Sequence, residues 1–287
     1  MKIIITFMLA LAFVSMSSVT PVFAGETVFI NNGDHDIPAV VTMPAGASGD
    51  KFPVVVMLHG TGSDKNEAGG GYQILAPLMA MNGIGSIRFD FIGNGESAAD
   101  YIGYNFTSAV SDTNKVVEYA QGLANADPNA IGVMGWSQGG TIALLAAGEN
   151  SGIKSVVTWA GAPDLKTSSL FTEEGYAAAR DDGYSVLEFG WRDSLNLGLK
   201  WYEDALNTDV LGVFAQSAAP VLAITGSDDD VVDPEYSVKI AEASSNENSE
   251  ARQIEGADHT FLIFTGDMSK FEQLCAMTTE WFAETLR

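Results

Sequence analysis

Gly135-Trp136-Ser137-Gln138-Gly139 sets a serine between two glycines, each one residue removed from it. An apolar, strand-like run, Ala130–Met134, leads into this pentapeptide, and Gly139–Ala147 follows with small and apolar residues at helical spacing. Ser137 therefore stands on a strand-to-helix turn, the setting in which a serine hydroxyl serves as a nucleophile toward an acyl carbon. The flanking glycines let the chain turn sharply and keep Cβ atoms off neighbouring backbone. The helix that begins there offers unpaired N–H groups to the oxyanion that such an attack creates. The nucleophile also needs a base. In this motif the chain order is serine, acid, histidine, and of the three histidines only His259 follows Ser137, so His259 is the admissible base. Candidates for the acid are the consecutive carboxylates Asp228, Asp229 and Asp230, together with Asp258.

The elements that must hold these residues alternate between strand-like and helical runs, the pattern of a mostly parallel, twisted sheet with helices on both faces, an α/β fold. The spacing predicts an opening hairpin from Thr27–Ile30 and Ala39–Met43, with strands at Pro53–Leu58, Gly85–Asp90, Ala130–Met134, Lys154–Trp159, Val221–Thr225 and Arg252–Glu255. Helices are predicted at Tyr72–Met81, Thr107–Gly122, Gly139–Ala147 and Met268–Leu286, and Asp127-Pro128 reads as a break before a strand. Across residues 163–216 the strand rhythm stops. That stretch reads as helical and aromatic, an insertion capping the carboxyl ends of the strands, where α/β sheets bind ligands. Its Tyr184, Trp191 and Trp201 are candidates either for a pocket lining or for packing the cap onto the body.

With 287 residues and no low-complexity linker, residues 25–287 read as one domain. Residues 1–24 have the layout of a secretory signal: Lys2, an apolar run from Ile3 to Val14, then small and polar residues ending Val22-Phe23-Ala24. Cleavage after Ala24 is expected, giving a secreted or periplasmic protein. Lys2 is the only charge in that leader, so its loss takes the net charge from −23 to −24. Such acidity argues against nucleic acid and anionic lipid as partners. Past the leader no apolar stretch is long enough to span a bilayer. Cys275, the single cysteine, excludes an intramolecular disulfide and reads as a buried thiol on a helix face. His35 sits in Asp34-His35-Asp36, which a hairpin turn explains as well as a metal cluster would. Oligomeric state is not readable from the sequence.

The chain resembles the α/β-hydrolase family, and within it the cinnamoyl-esterase and serine-aminopeptidase-like branch. The resemblance rests on His59-Gly60-Thr61-Gly62, on Arg88 to Ser97 with its Asp90 and Gly93-Asn94-Gly95, on the Ser137 pentapeptide with Gly140, on Gly226-Ser227-Asp228-Asp229-Asp230-Val231-Val232, and on Ala257-Asp258-His259-Thr260-Phe261. It implies Ser137 as nucleophile, the backbone N–H groups of Thr61 and Gln138 as an oxyanion hole, and, by family spacing between Gly226 and Val232, Asp229 as the acid. It implies His59 as packing beneath the oxyanion loop, Asp90 and Arg88 as residues that fix a loop, and Asp258 as one that fixes the turn presenting His259. Many relatives carry histidine where Trp136 stands, at a position that lies behind the turn. The expected activity is hydrolysis of a small carboxylic ester, of aryl or cinnamoyl type, through an acyl-enzyme and with no metal or organic cofactor. Two alternatives are an aminopeptidase, which needs Glu173, Glu174 or Glu188 facing the pocket to hold an ammonium, and a catalytically silent binding protein.

Overall fold

A computed structural model describes residues 25–46 and 49–287; the expected leader, 1–24, lies outside the described residues. The chain opens with β1 (Glu26–Asn31), β2 (Asp36–Thr42), β3 (Phe52–Leu58), α1 (Gly71–Met81), β4 (Gly85–Phe89), α2 (Phe106–Gly122), β5 (Ala126–Trp136), α3 (Gln138–Glu149) and β6 (Ile153–Trp159). After α4 (Glu173–Asp182), β7 (Tyr184–Leu187), β8 (Leu195–Gly198), α5 (Leu199–Asn207) and α6 (Val210–Phe214), it returns to the sheet with β9 (Val221–Gly226), α7 (Glu235–Ala243), β10 (Glu250–Ile254) and α8 (Ser269–Thr285).

The main sheet has the order β1-β2-β4-β3-β5-β6-β9-β10, parallel from β4 to β10, with β2 antiparallel to its neighbours. β3 explains the layering. Val54, Val56 and Leu58 face one apolar cluster and Val55 and Met57 the other, all without solvent exposure. Alternation at period two with both faces apolar is what a central strand between two helical layers requires. Each such side chain contributes about 1.5–3 kcal/mol over leaving it exposed. The chain leaves β3 toward β4 and leaves β5 toward β6, so the carboxyl ends of these two neighbours diverge. That is a topological switch point, where open α/β sheets form their binding crevice. The register pairs Leu58 with Gly135, which brings His59–Gly62 alongside Trp136–Gln138.

Two expectations need correction. Asp127-Pro128 does not precede β5 but lies within it, where the register with β3 shifts between Phe52 and Val54. A proline has no N–H to give the ladder, and an irregularity of this kind accommodates one. The 163–216 segment, read as helical throughout, also contains the antiparallel pair β7–β8. Four-residue strands such as Tyr184-Ser185-Val186-Leu187 are too short for a period of two to stand out in sequence. The hairpin's connection reaches the end of β3: Arg192 hydrogen-bonds the Gly62 carbonyl, and a Cβ built on Gly62 would meet Phe189 at 3.0 Å and Leu195 at 3.4 Å.

His35 clips the opening hairpin to α2, its ring nitrogens 2.8 Å from Asp34 and 2.9 Å from the buried Asp112. Burial disfavours the imidazolium, but the two carboxylates outweigh it and hold the His35 pKa above its ordinary value. Cys275 is buried, and desolvation pushes its thiol up to about 12, the inert state read from the sequence.

Candidate active site

The turn after β5 is strained at its serine. Ser137 has φ 54° and ψ −122°, in the left-handed half of backbone space that L-residues avoid, and such strain costs on the order of 1–3 kcal/mol. The glycines around it answer to backbone contact. A Cβ on Gly135 would lie 2.0 Å from the Gly139 carbonyl oxygen, and one on Gly139 would lie 2.2 Å from that of Leu58. The Ser137 N–H donates to the Trp159 carbonyl at 2.8 Å, and its own carbonyl accepts from Gly140 at 2.9 Å. The hydroxyl is thus delivered, half-buried, at the start of α3.

Among the described residues, four other non-glycine residues have positive φ: Glu67, Ala160, Phe261 and Leu262. Each lies near the carboxyl end of a strand, beside the serine, the loop after β3 or His259. Strain concentrated in one region points to a site held by the surrounding fold.

On the β3 side, the Gly60 carbonyl accepts from His59 Nδ1 at 2.8 Å and from the Ser63 N–H at 3.2 Å. His59 Nε2 in turn accepts the Phe91 N–H at 3.1 Å. One ring nitrogen must donate and the other accept, which sets a neutral Nδ1–H tautomer; burial lowers the His59 pKa in agreement. His59 therefore supports the loop from beneath, as expected. The Thr61 hydroxyl donates to Gln138 Oε1 at 2.5 Å, a link between the two predicted oxyanion residues that the sequence did not suggest. Neither the Thr61 nor the Gln138 backbone N–H has an acceptor among the described residues. Two free donors therefore flank Ser137.

The three aspartates after β9 separate by burial. Asp229 is buried, whereas Asp228 and Asp230 are exposed. Asp229 Oδ2 lies 2.9 Å from His259 Nδ1, and its Oδ1 accepts the N–H groups of Val231 and Val232, each at 2.9 Å. An ionised carboxylate only accepts, so the histidine proton sits on Nδ1 and Nε2 keeps its lone pair. Asp258 turns away from the ring. Its Oδ1 accepts from the Thr260 N–H and hydroxyl and from the Leu262 N–H. Although burial raises its pKa, these donors hold it below the ordinary value. The Ser137 hydroxyl has no hydrogen-bond partner among the described residues. Contacts of this kind commonly tighten only when substrate binds.

Trp136 joins the serine turn to the histidine loop. Its indole N–H donates to the His259 carbonyl at 3.1 Å, while its ring packs in a buried cluster with Trp159, Phe261 and Phe271. The side chain lies behind the turn, as the resemblance implied, but its contact with His259 was not readable in sequence. Trp136→Phe keeps the packing and removes the donor to the half-buried His259 carbonyl, at about 0.5–1.5 kcal/mol. We expect kcat to fall about tenfold with KM little changed and the fold intact by circular dichroism. Unchanged kcat would show that the aromatic cluster alone holds the loop.

Asp90 and Lys65 tie the loops after β3 and β4. Asp90 accepts the Lys65 and Glu96 N–H groups, and the Lys65 ammonium bridges Asp90 and Glu96 at 2.6 Å each. Arg88 reaches Asn66. These are the loop-fixing roles expected of Asp90 and Arg88. Of the insertion's aromatics, Trp201 is fully buried against Phe106, whereas Trp191 is 67% exposed beside Phe189.

A family model described as the prolyl oligopeptidase family matches residues 95–287, a span that includes Ser137, Asp229 and His259. The chain belongs to the prolyl oligopeptidase family. Membership and fold together place it in the α/β-hydrolase superfamily. The family match begins after the loop bearing Thr61.

Among characterised proteins, 2,6-dihydropseudooxynicotine hydrolase of Paenarthrobacter nicotinovorans is 33% identical over 142 residues, 47% of this chain. The match spans only 35% of that protein's length. Est1E of Butyrivibrio proteoclasticus, solved with ferulic acid, superposes with a TM-score of 0.75 at 21% identity, covering 90% of this chain and 98% of its own. A soluble variant of monoglyceride lipase from Saccharomyces cerevisiae, solved with a substrate analogue, also reaches 0.75, at 15% identity, covering 92% of this chain and 96% of its own. At these identities the structural likeness speaks for the fold.

Proposed function

We propose that this protein is an exported serine hydrolase that cleaves carboxylic esters. His259, held in its tautomer by Asp229, takes the Ser137 proton as the hydroxyl attacks the ester carbonyl. The Thr61 and Gln138 N–H groups stabilise the oxyanion; the alcohol leaves, and water attacks the acyl-enzyme with His259 again as base. The observation that carries this reading is the buried Asp229–His259 bond beside a strained serine turn flanked by two free N–H donors. Export rests on the signal-like layout of residues 1–24. An aryl or cinnamoyl ester is supported by the resemblance and by the fold shared with Est1E, which binds ferulic acid. We place the 163–216 segment as the element that shapes the pocket, because Arg192 and Phe189 reach Gly62 beside Thr61.

The family match favours a second reading, peptide cleavage by the same residues. A free amino terminus would then need an enclosed carboxylate. Glu173, Glu174 and Glu188 are all exposed, and the first two lie in the opening turn of α4, where they complement the helix dipole. Turnover of short-chain aryl esters against aminoacyl anilides separates the readings. We expect kcat/KM for the ester to exceed that for the anilide by at least about 100-fold, a difference of about 3 kcal/mol in transition-state stabilisation. Comparable anilide turnover would overturn the ester preference.

A further inference from the structure

Glu67 takes no part in the chemistry above, yet it sits against it. Its φ of 61° is one of the five strained non-glycine values among the described residues, so the fold holds this residue in place against local preference. Its Oε2 accepts the Gly60 N–H at 2.9 Å, and its carboxyl also meets the Ser63 side chain and the Ala68 N–H. A Cβ built on Gly60 would stand 3.4 Å from Glu67 Oε1 and 3.4 Å from Ser137 Cβ. Gly60, which has no side chain, lies between this carboxyl and the serine turn.

The contact acts on the donor that matters. The peptide between Gly60 and Thr61 is planar and trans, so the Thr61 N–H points opposite to the Gly60 carbonyl, which His59 and Ser63 hold from below. Glu67 holds the other peptide of Gly60, through its N–H. Both planes flanking Gly60 are thereby set.

We propose that Glu67 is a positioning residue for the oxyanion hole, working as the neutral acid, and that its ionisation weakens the hole. This rests on the serine-hydrolase reading. In the neutral form the carboxyl accepts from Gly60 with one oxygen and carries its proton on the other. When ionised, it puts a negative charge behind the place where the oxyanion forms, and like charges at short range oppose each other. Burial pushes the Glu67 carboxyl up to about 8, against the pull of its hydrogen bonds, and the charge of Asp64 adds to the rise.

The groups facing Glu67 do not titrate in the same range. Burial lowers the His59 pKa, and burial with the Glu67 charge drives Tyr72 of α1 well above its ordinary value. Asp90 and Glu96 keep Lys65 charged, raising its pKa against the effect of burial.

The test is the pH profile of kcat/KM on a short-chain aryl ester, for wild type and for Glu67→Gln, whose amide copies the neutral acid with its oxygen toward Gly60. The wild-type profile should bend downward near pH 8 toward a lower plateau set by the ionised form. Glu67→Gln should lose this alkaline limb and exceed wild type above about pH 8. A role in stability alone would lower the curve without changing its shape. A retained limb in Glu67→Gln overturns the proposal, and so does a wild-type profile that stays flat or rises through that range. The wild-type profile decides even if the variant does not fold. A fluorophosphonate adduct on wild-type Ser137, read by intact mass, separates the two levels. With no adduct the serine reading falls, whereas an adduct with an unbent profile removes only the role of Glu67.

Discussion

Ser137→Ala is expected to lower ester hydrolysis by about 10⁴-fold or more, because removing the nucleophile leaves only binding and the oxyanion donors to accelerate attack by water. The variant should also lose the adduct that a fluorophosphonate forms on wild type, one mass increment per chain. The fold has little reason to change. The Ser137 hydroxyl has no hydrogen-bond partner among the described residues, and the strained backbone is held by Gly135, Gly139 and the Trp159 carbonyl, none of which needs the hydroxyl. Alanine also carries a Cβ, so it meets the same positive φ. Circular dichroism and thermal unfolding should therefore match wild type to within about 0.5 kcal/mol. The prediction also separates enzyme from silent binding protein. Hydrolysis retained in Ser137→Ala would assign the chemistry elsewhere. A wild type that neither hydrolyses esters nor takes the probe would leave a binding fold with an unused triad.

The residues that the sequence singled out belong to backbone arrangements that recur with their side chains. The Ser137 pentapeptide announces its turn because two glycines must stand where a Cβ would strike the carbonyls of Gly139 and Leu58. His259 was legible through scarcity. β3 was legible because an apolar run bounded by turn residues can hardly be other than a buried strand. The features that were missed depend on tertiary contact between distant segments. Nothing in the sequence says that the Trp136 indole meets the His259 carbonyl 123 positions on, or that Thr61 bonds Gln138 across 77. Glu67 was passed over because a lone glutamate in a polar loop is ordinary; its positive φ and its bond to Gly60 appear only once the loop is folded. The β7–β8 pair was missed for the opposite reason, since its local pattern is present but too brief to outweigh the helical residues around it.

The acid of the proposed triad shows most clearly what geometry adds. Three adjacent aspartates are chemically equivalent as letters, and only family spacing favoured the middle one. In the structure Asp229 alone is buried, and its carboxylate is saturated by the Val231 and Val232 N–H groups on one oxygen and by His259 on the other. Asp229→Asn is therefore the sharper substitution. The two backbone donors need an acceptor, so the amide oxygen takes that place and the amide nitrogen turns to His259. There it donates to Nδ1, which forces the imidazole proton onto Nε2, and that nitrogen can no longer accept from Ser137. We expect kcat to fall on the order of 10⁴-fold, KM to change little, and the fold to survive because every hydrogen bond keeps a partner. Asp228→Asn and Asp230→Asn, both at exposed positions, should stay within about twofold of wild type, as surface changes away from such contacts do. A large loss in Asp230→Asn with Asp229→Asn near wild type would move the acid to the neighbouring position. Comparable losses in all three would mean that the turn acts through its total charge and not through one bond. The tautomer account makes the narrower claim, because it requires the loss to track a single carboxylate 2.9 Å from a single ring nitrogen.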